Sequence, residues 1–124
     1  FGGGRFESFS YDVRDPVQPR FFASEDRLRG ALRRFTPDSP NWDDPWTMLH
    51  GSGTLDYMMM TPTGNNTGYI TWGSDLFQAQ LNAKRNYPES EGIDVEENLL
   101  YMVCKRIKSL FIVDLDAMTY SNFS

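Results

Sequence analysis

Three acidic positions flank apolar segments in a way that could hold a metal ion. Glu7 leads Ser8-Phe9, Glu25-Asp26 follows Phe21-Phe22-Ala23-Ser24, and Glu91-Gly92 leads Ile93. Hard cations such as calcium take about six to eight oxygen ligands, with carboxylates supplying the charge. Each acid also has a structural reading, because Asp and Gly favour turns. Arg20, Arg27, Arg29, Arg33 and Arg34 form a second group. Guanidinium forks match phosphate oxygens, but a solvated hairpin balanced by nearby acids is the simpler account.

The remaining reactive residues carry less. His50 is the only histidine, and nothing near it in sequence would orient it as a general base. Gly51-Ser52-Gly53 lacks the spacing of a nucleophile elbow. Cys104, the lone cysteine, cannot close a disulfide within the chain and reads as a buried small hydrophobe. Trp42, Trp46 and Trp72 lie in turn-rich stretches, where they could stack on a sugar ring or pack for structure. Asn65-Asn66-Thr67 and Asn122-Phe123-Ser124 are acceptor sequences for N-glycosylation.

Short strands must position these groups. Arg5 to Asp12 alternates, with Ser8 and Ser10 on one face and Phe9 and Tyr11 on the other. Arg20 to Glu25, Ala31 to Thr36, Thr47 to His50 and Leu55 to Thr61 follow, bounded by Pro, Gly, Asp and Ser. A helix is expected from Asp75 to Arg85, capped by Ser74, with Lys84 and Arg85 in its last turn and Pro88 beyond. It reads as a surface insertion between strands. Gly92 to Val95, Leu99 to Cys104, Ser109 to Leu115 and Thr119 to Phe123 complete the strand set.

The end of the chain echoes its start. Glu7 to Val13, Phe21 to Ser24 and Ala31 to Phe35 match Glu91 to Val95, Leu100 to Val103 and Ser109 to Val113 in order and character. A weak repeat of short strands predicts a mainly β chain, about two blades of a β-propeller built as antiparallel four-stranded meanders, with one short inserted helix. Residues 5–50 make the first blade, 55–87 the insertion and 91–124 a second, incomplete blade. Strands of a meander alternate in direction. The start of one strand and the end of the next therefore share a rim, so Glu7, Glu25 and Glu91 should converge.

The motifs resemble the PhoX-type alkaline phosphatase family. Gly4-Arg5-Phe6-Glu7-Ser8, Phe22-Ala23-Ser24-Glu25-Asp26 and Gly30-Ala31-Leu32-Arg33-Arg34-Phe35-Thr36-Pro37 are similar to one family stretch. Ser90-Glu91-Gly92-Ile93, Leu100 to Lys105 and Leu110 to Asp114 are similar to a second. The resemblance covers about half of the chain. It implies a β-propeller that hydrolyses phosphate monoesters outside the cytoplasm, extracellular or periplasmic, with calcium and iron. It implies metal ligation by Glu25 and Glu91, and also by Glu7. Ser24 stands where the family has Thr, and Arg33 where it has an aromatic residue. The rival reading is a non-catalytic propeller that binds a protein or carbohydrate partner.

Composition narrows the field. Acids outnumber bases by 17 to 12, which argues against a basic footprint for nucleic acid. An aromatic share of 15% argues against disorder, and no run approaches the ~18 apolar residues of a membrane span. At roughly 40–50 residues per blade, the 124 residues cannot close a propeller alone. Either the chain is a fragment, or a small open β structure stands by itself.

Overall fold

Period-two alternation decides which side of each strand is buried. In the computed structural model, which describes residues 6–124 and side chains from residue 8 onward, Leu100, Met102 and Cys104 of one strand and Phe111 and Val113 of the next point into one core. The elements run β1 (Phe6–Asp12), β2 (Arg20–Glu25), β3 (Arg33–Pro37), α1 (Pro45–His50), β4 (Gly53–Gly64), β5 (Thr67–Gly73), α2 (Leu76–Asn86), β6 (Ser90–Glu96), β7 (Leu99–Cys104), β8 (Ser109–Asp114) and β9 (Thr119–Phe123). The chain is mainly β, as expected. No helix among the described residues is long and apolar enough to cross a membrane.

Two antiparallel meanders are present, β1 to β5 and β6 to β9, with α2 between them. They join through β5 and β9 into one sheet of order β1-β2-β3-β4-β5-β9-β8-β7-β6. The sheet curls until its two edges meet. At that seam serine hydroxyls replace a backbone ladder. Ser8 Oγ lies 3.2 Å from the Ile93 N–H it accepts, and Ser10 Oγ accepts from Val95 N–H at 3.1 Å. Ser24 Oγ donates to the Glu91 carbonyl at 2.7 Å. The serines that alternate with Phe9 and Tyr11 thus close the barrel-like sheet, while those aromatics stay exposed.

The segment read as an excursion supplies β4, β5 and α2. The β4–β5 turn is tight, since β4 runs to Gly64 and β5 begins at Thr67. Asn65 and Asn66 both have positive φ, as a two-residue hairpin of the primed type requires. Gly68 is needed because a Cβ there would lie 2.6 Å from the Tyr120 ring.

Helix α2 starts at Leu76, with Asp75 rather than Ser74 as its cap: the Asp75 carboxylate accepts from Gln78 N–H at 3.1 Å. Its Ala79 and Ala83 are buried, and small side chains let the helix approach β4. Beyond Tyr57, β4 has no partner in β3. Asn82 fills the gap, accepting from Met60 N–H at 2.7 Å and donating to its carbonyl at 2.9 Å. The Tyr87 hydroxyl donates to the Met58 carbonyl and accepts from Leu32 N–H.

Thr47 to His50, expected as a strand, is helical. Asp44 caps the turn by accepting from Thr47 N–H at 3.2 Å, and Pro45 occupies its first position. Met48 then packs on Phe21 and Phe35. This explains the consecutive aromatics of β2, since Phe22 faces the barrel core and Phe21 this outer cluster.

Candidate functional site

The register of the strands brings the three predicted glutamates to one corner of the seam. Phe6 pairs with Glu25, Ser8 pairs with Ser24, and the one-residue shift between these pairs leaves Glu7 as a bulge. β6 has a matching shift between Ser90 and Ile93, at Glu91-Gly92. The Ser24 hydroxyl on the Glu91 carbonyl ties β2 to β6 beside both bulges. Bulges re-aim side chains and are frequent beside functional sites. The Glu7 side chain lies outside the described residues.

Side chains diverge where the backbones converge. Glu25 is only 5% exposed, and its carboxylate lies 3.5 Å from Arg33 and 3.6 Å from Arg27. Both contacts exceed the ~2.7–2.9 Å of a strong charge-assisted hydrogen bond. The turn that follows is tight. Arg27 N–H donates to the Glu25 carbonyl at 2.8 Å, and a Cβ on Gly30 would fall 2.0 Å from that oxygen. Glu91 is half-buried and lines a separate hollow with Asp26, Glu89 and Lys105.

Calcium needs more oxygen than this corner offers as arranged. Among the described residues, no three His, Cys, Asp or Glu side chains form a group that could hold a metal. The donor chemistry fits a hard cation in kind. Its two described carboxylates would supply at most about four of those oxygens, and only if Glu25 exchanged its arginines for the ion and Glu91 turned out of its hollow.

Other reactive groups are committed to structure. The exposed His50 ring stacks on Trp46 at 3.8 Å, and its Nδ1 lies 2.9 Å from the Trp46 carbonyl. Burial pushes the Cys104 thiol up to about 12, with Glu91 adding to the shift, so it is neutral at physiological pH. Trp42 donates to the Pro16 carbonyl at 2.9 Å and lies against Phe21.

Alternation divides the arginine group between the two ends of β2. Arg33 faces outward over the Tyr57 ring, near Glu25. Arg34 faces inward with Phe22 and Asp56, its register neighbours, at the opposite mouth of the barrel. There it pairs with Asp56 at 2.8 Å and stacks over Trp72 at 4.4 Å. Arg14, not singled out from sequence, spans this mouth. It bonds Asp12 at 2.8 Å and Asp116, 102 residues away, at 3.0 Å. These bonds hold the Asp12 and Asp116 carboxyls below the usual range and the Arg14 guanidinium above its own.

Comparison with family models, curated proteins and solved structures finds no match for this chain. A functional reading therefore rests on the residues themselves.

Proposed function

We propose that the Glu7, Glu25 and Glu91 corner is a metal-ligating part of a phosphate monoester hydrolase resembling the PhoX-type phosphatases. The observation that carries this reading is the pair of bulges, at Glu7 and at Glu91-Gly92, meeting beside Glu25 across the seam. A bound calcium, with iron as the resemblance implies, would supply Lewis-acid stabilisation of a phosphoryl group. The chain's own part is to present Glu25 from a buried, turn-locked position, and Arg27 and Arg33 beside it to the phosphate oxygens. Hydrolysis of p-nitrophenyl phosphate that is abolished by a chelator and by Glu25→Gln is the expected result. Hydrolysis that survives both would exclude the corner.

A second reading is favoured by the two arginines already on Glu25. In it the Glu25 carboxylate is a structural anion, and the chain is a non-catalytic module that binds a protein or carbohydrate through the ring surface that Trp42 and Trp46 still expose beyond their structural contacts. Glu25→Gln would then leave binding intact while changes at the tryptophans abolish it.

A further inference from the structure

We propose that the mouth of the barrel, at the far end of β2 from Glu25, binds a small phosphorylated amine, a zwitterion held by arginine at one end and aspartate at the other. A cavity of about 320 Å³ opens there, lined by Arg14, Arg20, Arg34, Asp12, Asp15 and Asp116, with Phe22 among its walls. Its size is at the lower end of ligand pockets, roughly 300–1,000 Å³. The inward faces of β1, β2 and β3 change here from apolar and hydroxyl groups to charge, because Asp12 pairs with Arg20 and Phe22 with Arg34 in register.

Two of the arginines lining this cavity keep donor capacity. Arg20 has no ion pair within 4 Å among the described residues. Arg34 spends one Nη on Asp56, but its Nε is buried without an acceptor. A buried donor left unmade costs about 1–3 kcal/mol, so an anion accepting from it recovers that cost. Arg14 is occupied by two carboxylates and adds little.

The charge count then specifies the other end of the guest. The lining itself is balanced, Asp12, Asp15 and Asp116 against Arg14, Arg20 and Arg34, and Asp56, paired to Arg34 from outside the lining, tips the surroundings to four acids against three bases. A guest carrying only negative charge would deepen that excess. One carrying its own ammonium would not, and Asp15 can receive it: one of its oxygens accepts from Val17 N–H at 3.0 Å, while the other has no hydrogen bond among the described residues. Complementary charge at both ends is how such a site selects its partner.

Calorimetric titration with phosphoethanolamine and with glycerol 3-phosphate tests this, since both carry the phosphate and only the first an ammonium. Phosphoethanolamine should bind roughly fivefold more tightly, the scale of one exposed ion pair. Asp15→Asn should erase that preference, and Arg20→Gln should remove binding of both. Equal affinity, no binding by either, or a preference that survives Asp15→Asn would overturn the proposal. The site is independent of the glutamate corner, so Glu25→Gln should leave it unchanged.

Discussion

The side-chain amide of Asn82 bonds both backbone groups of Met60, and no strand could reach them, because β3 has already ended. Truncation there leaves the Met60 N–H unmatched and its carbonyl with only the longer bond from Asn86 Nδ2 at 3.3 Å. Asn82→Ala is therefore expected to cost about 2–3 kcal/mol, read as a lower urea midpoint with unchanged slope, whereas Asn82→Asp should cost more by placing a carboxylate against a carbonyl. Burial raises the pKa of the Cys104 thiol to about 12 from 9.0 and that of the Tyr87 phenol from 10.0. The neutral forms are the ones the fold stabilises. Their contribution is fully present below pH 9 and is lost as pH rises from 9 toward 12. Alkaline unfolding in that window, with Cys104 unreactive toward iodoacetamide at pH 8 until denaturant is added, is the expected outcome.

At the scale of elements, the seam and the mouth strap are the distinctive parts. Ser8 and Ser10 hold β6 through hydroxyl bonds to the Ile93 and Val95 amides. Replacing both serines by alanine should speed hydrogen exchange at those two amides selectively, and leave the β7 and β8 amides near their original rates. The strap works through Asp12 and Asp116, whose pKa values lie below the ordinary 3.8 because of Arg14. A depressed carboxylate stabilises the fold above its unfolded pKa and loses that effect as pH falls. Melting temperature should thus decline below about pH 4, and Arg14→Gln should flatten that decline. Sequence pattern reached most strands, because alternation and turn residues mark them. It missed α1, where Thr47-Met48-Leu49 suits either period and only the Asp44 cap and the Phe21–Phe35 surface decide. It could not reach the Arg14–Asp116 bond or the Asn82 rung, since neither partner lies near in sequence.

For the molecule as a whole, strand direction puts the start of β1 beside the end of β2, and the seam between the sheet's two edges then brings the Glu91 backbone to Ser24. What strand direction could not carry is the fate of the side chains. Arg27 and Arg33 come to Glu25 through the β2–β3 turn and cross-strand register, and Glu91 turns toward Glu89 and Lys105. Nor does a repeat of short strands say whether two meanders remain separate sheets or join edge to edge, as β5 and β9 do here. The corner's central claim is that these acids ligate a hard cation. Calcium titration followed by calorimetry tests it most directly. The account predicts saturable binding that weakens at least tenfold in Glu25→Gln and in Glu91→Gln, and no loss in Asp116→Asn at the other end. Calcium binding that is absent, or that is indifferent to both glutamates, would contradict it.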